Sequence, residues 1–98
     1  MFVVVTRSTF SRDIEGEVLA LAKRSVPIAK TQPGFVDIVV HINHDRTQIM
    51  TYWKWERRED HEACMASDDW LALMPGWEKL IADGKLQFDM DIYEPLGF

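Results

Sequence analysis

A chain of 98 residues holds one domain, spanning residues 1–98, and leaves no room for a linker or a second core. Its 47% hydrophobic content excludes a disordered segment, and a net charge of -5 without any basic run leaves no electrostatic footprint for nucleic acid. No apolar stretch approaches the roughly 20 residues that span a bilayer.

One cysteine, Cys64, excludes an internal disulfide, and the start Met1–Arg7 has neither a basic leader nor a long apolar run. The expectation is a cytoplasmic protein. Phe2 to Thr6 is β-branched and aromatic and predicts a short strand. The polar patch Arg7–Asp13 follows, with Ser11 and Asp13 as N-cap candidates. Ile14, Val18, Leu21, Ala22, Ser25 and Ala29 then recur at three- and four-residue steps, which is one face of a helix. Pro27 lacks a donor and is expected to kink or end it, and Pro33-Gly34 is a stop.

Val36, Ile38, Val40 and Ile42 alternate with Asp37, Val39 and His41 in a second strand. Asn43–Arg46 reads as a turn and Thr47–Glu56 as the return strand. Setting Ile42 opposite Thr47 pairs Val40 with Ile49, Ile38 with Thr51 and Val36 with Trp53 on one face. On the other face it sets Asp37 against Tyr52 and Val39 against Met50. Arg57–Ser67 predicts a polar helix with His61, Cys64 and Met65 inward. From Asp68, the residues Trp70, Leu73, Met74, Trp77, Leu80 and Ile81 form one stripe, with Asp68 or Asp69 placed to cap it. Pro75-Gly76 predicts a kink or two short helices. Lys85–Tyr93 is the last strand, with Leu86, Phe88, Met90 and Ile92 alternating.

The order strand–helix–strand–strand–helix–strand predicts an α+β, ferredoxin-like domain: a four-stranded antiparallel sheet with its helices on one face. The open face would carry Val39, Met50 and Tyr52, so the sheet of a second copy is expected to cover it. The partner expected there is a homodimer mate.

Pro33-Gly34-Phe35, the hairpin after it, Trp53-Lys-Trp-Glu-Arg-Arg-Glu-Asp-His61 and Met65-Ala-Ser67-Asp-Asp-Trp70 together resemble the antibiotic biosynthesis monooxygenase domain family, within the dimeric α+β barrel superfamily. The likeness covers nearly the whole chain. It implies a pocket in each subunit between helices and sheet. For some members it implies oxygenation of electron-rich aromatic molecules by O₂ with no metal, flavin or haem. A related haem-degrading branch carries an Asn on the first strand and a His seven residues after the Ser of the second helical region. Here that strand runs Phe-Val-Val-Val-Thr-Arg and the second position is Met74, so no cofactor is expected.

His41 and His44 stand three apart on an extended chain and point to opposite sides, so no metal is expected either. His61 is the candidate general base for deprotonating a phenol, against the plainer reading of a partly exposed helix histidine. Trp53, Trp55, Trp70 and Trp77, with Met74 and Phe88 as soft filler, are candidate substrate-binding walls of a dry aromatic pocket. Ordinary core packing at helical and strand spacing accounts for them equally simply. Arg7 and Tyr52 could hold a phenolic oxygen, or serve only as strand-end and dimer-face residues. The expected function is a cofactor-independent monooxygenase acting on a small aromatic or polycyclic phenol. The alternatives are a non-catalytic dimeric binding or sensing domain, and an isomerase or lyase of the same superfamily.

Overall fold

Strand β1 (Phe2–Phe10) is an inner strand of the sheet because the chain returns to it twice, residues 48–55 pairing on one side and residues 86–93 on the other. A computed structural model describes Met1 to Phe98 and shows the order β1, α1 (Glu15–Lys30), β2 (Phe35–Ile42), β3 (Gln48–Trp55), α2 (Arg58–Met65), α3 (Asp68–Ala82) and β4 (Leu86–Tyr93). The strands lie as β2-β3-β1-β4, every neighbour antiparallel, in the ferredoxin-like arrangement with helices on one face.

β1 runs four residues beyond the β-branched segment. Its polar end is held by pairing on both sides, Thr9 to Gln48 and Phe10 to Leu86. Arg7 there reaches across to Asp89 and Asp91 at 3.1 and 2.9 Å. Ser11 makes no side-chain cap, and one 3-10 turn, Arg12–Ile14, precedes α1.

α1 buries Val18, Ala22, Ser25 and Ala29, and passes through Pro27 to Lys30. Pro27 is exposed, and losing one backbone bond on that side does not end a helix whose next turn still buries Ala29. α3 likewise continues through Pro75-Gly76 as one helix. Gly76 is there for proximity: a Cβ would come within 2.7 Å of Leu21 Cδ2, so the missing side chain lets α1 and α3 approach. The cap of α3 is Ser67, whose Oγ accepts from the Trp70 backbone N–H at 3.3 Å. Asp68 and Asp69 occupy the first turn instead, where their charge suits the helix dipole.

The hairpin register differs from the expected one by two residues. Ile42 pairs with Ile49, Val40 with Thr51 and Ile38 with Trp53. Asn43 is the cause. Its Oδ1 accepts from the backbone N–H of Thr47 and Gln48, at 2.8 and 2.9 Å, and Arg46 adopts φ 58. This lengthens the turn. A two-residue shift keeps every side chain on its face, so Ile49, Thr51 and Trp53 still point inward. On the outer face Val39 meets Tyr52 and His41 meets Met50. A bulge between Phe35 and Asp37 leaves Val36 exposed rather than opposite Trp53.

The core is divided. One cluster gathers Phe10, Ile14, Val18, Ile49, Leu80 and Leu86 at one end. The other gathers Phe2, Val4, Ala29, Trp53, Trp55 and Cys64.

Candidate functional site

The space between the two clusters is hollow, a cavity of about 250 Å³. Its floor is the inward set of the two central strands: Val4, Thr6 and Ser8 from β1, and Ile49, Thr51 and Trp53 from β3. α1 contributes only Ala22 and Ser25 to the roof, α2 gives His61 and Met65, and α3 gives Trp70, Met74, Trp77 and Ile81. Phe88 and Met90 of β4 line one side. Small roof residues stand over small floor hydroxyls, and the bulk that would fill the gap is absent.

The larger side chains hold the walls apart. Trp53 and Trp70 meet edge to face, with ring centroids 5.6 Å apart and an interplanar angle of 79°. The indole N–H of Trp53 donates to Thr6 Oγ1 at 3.0 Å, which pins that ring to the sheet. Phe88 is 51% exposed and Met90 45%, because β4 is an edge strand and the helices do not reach over it. The mouth of the cavity therefore lies on that side.

Five of the six expected wall residues border this space: Trp53, Trp70, Met74, Trp77 and Phe88. Trp55 does not. It is fully buried between Phe35 and His61, at ring distances of 5.9 and 6.1 Å, and belongs to the packed cluster beyond the cavity end. Its Nε1 is sealed from solvent with no hydrogen-bond partner.

His61 borders the cavity and is the one titratable side chain that does. Its ring also packs 5.6 Å from Phe2. Burial lowers its pKa from 6.5; Arg58 lowers it further and Glu62 opposes both. The imidazole is thus held neutral, able to accept a proton. Cys64, three residues on, is wholly enclosed, and burial pushes its thiol up to about 11. Arg7 lies on the outer face, engaged by Asp89 and Asp91, and Tyr52 shares that face, so neither reaches the cavity. His41 is on the outer face too. Nowhere do three or more His, Cys, Asp or Glu side chains come together as a metal site would require.

The pattern of small residues that opens the cavity was missed from sequence. Periodicity places Ala22 and Ser25 on the inner helix face and Thr51 on the inner sheet face, but assigns none of them, nor Thr6 and Ser8, to a cavity. The available signal was the set of hydroxyl residues at inward strand positions beneath a small-residue helix face.

A family profile described as antibiotic biosynthesis monooxygenase matches residues 1–76. No curated protein sequence matches the chain. Among solved structures it is similar to SnoaB, a cofactor-independent oxygenase from Streptomyces nogalater, with TM-score 0.83 and 14% identity over 99% of this chain and 94% of that one. It is also similar to PA3566 from Pseudomonas aeruginosa, with TM-score 0.82 and 14% identity over 98% and 94%. A conserved protein from Methanosarcina mazei Go1 gives TM-score 0.79 and 16% identity over 95% and 90%. At such identities the likeness to these structures is one of fold. No helix is long and apolar enough to cross a membrane.

Proposed function

The chain belongs to the antibiotic biosynthesis monooxygenase family, and from that premise we propose that its cavity takes an uncharged aromatic or polycyclic phenol and oxygenates it with O₂, using no metal, flavin or haem. The observation that carries this reading is a cavity walled by Trp, Met and Phe whose sole titratable group is His61, a histidine whose pKa burial lowers. Such a space repels charged ligands, holds a flat ring and excludes water from a carbon acid. Its volume sits just below the roughly 300–1,000 Å³ of small-molecule sites, which favours a small ring system.

His61 is the base. For a ring CH₂ group activated by a carbonyl or phenol across the ring, it takes one proton and leaves a delocalised carbanion. The carbanion passes its electrons to O₂ one at a time, and a C–O bond forms. The peroxide oxygen recovers the proton from His61. The hydroperoxide then loses water, the O–O bond breaking as the remaining C–H proton leaves. One CH₂ and one O₂ become one C=O and one H₂O, the substrate carbon supplying all four electrons. Trp53 and Trp70 hold the ring plane while this happens.

The assembly that goes with this reading is a homodimer through the outer sheet face. Val39 is exposed there directly opposite Tyr52, with Met50 alongside, an apolar patch suited to a second sheet.

The test is O₂ consumption by chelator-treated protein given anthrone or 1-naphthol. Uptake of one O₂ per substrate, without released peroxide, is expected. Loss of uptake after chelation overturns the cofactor-free chemistry, and binding without any uptake favours a non-catalytic binding domain.

A further inference from the structure

We infer that Thr6, Ser8 and Thr51 form an oxygen-recognition subsite on the cavity floor, which orients a ring ligand by hydrogen-bonding its carbonyl or phenol oxygen. The inference rests on the reading that the cavity is a ligand site, and it adds which end of the ligand goes where. Thr6 and Thr51 are directly opposite each other across β1 and β3, and Ser8 lies two residues further along the same face, opposite Ile49. All three border the cavity.

Ser8 is 6% exposed and Thr51 5%, yet neither hydroxyl has a hydrogen-bond partner within the protein. Trp55 Nε1 is the one sealed side-chain nitrogen or oxygen without a partner, so these two hydroxyls must open onto the hollow. Buried polar groups are almost always satisfied, and a pair left free on one wall of an apolar space marks where an outside oxygen fits.

The donor sense is also set. Trp53 Nε1–H donates to Thr6 Oγ1 at 3.0 Å, occupying a lone pair and leaving the Thr6 proton free to give away. Across the cavity the Ser25 proton is already committed to the Ala22 carbonyl at 2.6 Å, so Ser25 presents lone pairs alone. Thr6 thus presents its proton and Ser25 its lone pairs, while the Ser8 and Thr51 hydroxyls are free to donate. A carbonyl or phenol oxygen suits the floor.

This arrangement gives the cavity a direction. His61 packs against Phe2 and Trp55, which pair with each other at the start of β1, whereas Ser8 lies six residues along that strand. A ligand anchored by its oxygen between Ser8 and Thr51 turns its opposite edge toward His61. The subsite residues are positioning residues, and the proton transfer stays with His61.

Binding of naphthalene and of 1-naphthol, read by quenching of tryptophan fluorescence, separates the possibilities. The near-isosteric double variant S8A/T51V removes the Ser8 and Thr51 hydroxyls, and T51S, which retains a hydroxyl at both positions, is the conservative control. Wild type and T51S are expected to prefer 1-naphthol over naphthalene by about tenfold more than S8A/T51V does, as one or two lost hydrogen bonds predict. Naphthalene affinity should be unchanged or higher in the double variant. Should that variant fail to fold, S8A alone is read the same way, with about a threefold change expected. An unaltered preference in the variants overturns the subsite while leaving the cavity reading intact. Failure of both ligands to bind wild type overturns the cavity reading and the subsite with it.

Discussion

Trp53 and Trp70 meet edge to face across the cavity wall, one ring fixed to the sheet by Thr6 and the other carried on α3. Trp55, two residues along β3, is sealed in packed core. The same truncation should therefore cost different amounts. Trp55→Ala is expected to lose the roughly 3–5 kcal/mol of a close-packed aromatic. Trp70→Ala, with a void already on one side, is expected to lose about 2 kcal/mol, mostly ring-edge contact and partial burial. Chemical denaturation compares the two, and affinity for 1-naphthol should drop only with Trp70→Ala. Equal losses of stability would return both rings to plain packing.

A pH series isolates His61. Its pKa in the fold lies below 6.5 because burial disfavours the charged ring. Below that ordinary value the unfolded chain binds a proton that the native chain resists, so stability falls as pH drops. The loss ends once pH passes the folded pKa, and above 6.5 the contribution is complete. Urea midpoints at about pH 5 and about pH 7.5 should differ less in His61→Gln than in wild type. Oxygen uptake by the wild type should fall on the acid side only below pH 6.5, and uptake should vanish in the variant. A variant that retains full turnover removes His61 as the base.

The sheet face pattern was legible because period-two alternation survives any even register shift: Ile49, Thr51 and Trp53 stayed inward although their partners moved by two. The turn that moved them depends on one side chain, Asn43, bonding two backbone groups, which no periodicity reports. Pro27 and Pro75 looked like breaks, yet helices anchored by the turns on either side run through them. The aromatic walls were legible as a stripe. The hollow between them was not, since it arises where Ala22 and Ser25 happen to lie over Thr6, Ser8 and Thr51, a coincidence that only the tertiary arrangement creates. Trp55 was misplaced for a related reason: strand alternation says which face a ring is on, not how far along that face the cavity extends.

The outer face supplies a prediction about assembly. Val39 and Tyr52 form a cross-strand pair on the outer face next to Met50, and Val39 is exposed. Sedimentation at micromolar concentration is expected to give twice the 11.4 kDa chain mass. Val39→Asp puts a charge where a second sheet would lie, and is expected to yield the monomer with little change in secondary structure. A wild-type chain that sediments only at 11.4 kDa sinks the dimer.

Cys64 offers a test of the packed cluster independent of ligand. Its thiol is enclosed and its pKa stands at about 11, so the reactive thiolate is scarce at neutral pH. Disulfide reagents at pH 7–8 should label it only at the rate of unfolding, and denaturant should release it at once. Rapid labelling of the native chain would mean that α2 opens away from β3.

Gly34 and Asp60 are 26 positions apart in the chain and in direct contact, which ties the end of α1 to the start of α2. Gly34 has φ 78, and a Cβ there would overlap the Asp60 carboxyl. Asp60 is buried because that carboxyl accepts from the Arg57 backbone N–H at 3.2 Å, capping α2, and lies 3.5 Å from the Arg57 guanidinium. The Gly34 carbonyl in turn accepts from the Glu56 backbone N–H at 2.8 Å. Gly34→Ala should cost the roughly 1–2 kcal/mol of a left-handed residue, and more because Asp60 must leave its cap. Asp60→Ala alone should cost about 1 kcal/mol for the lost cap. The double variant has no carboxyl to displace, so its loss should fall short of the sum by about 1 kcal/mol. Urea denaturation of the four chains measures that coupling. Strict additivity would mean that the cap and the tight turn act separately, and that α2, which carries His61 to the cavity, is held in place by something other than Gly34.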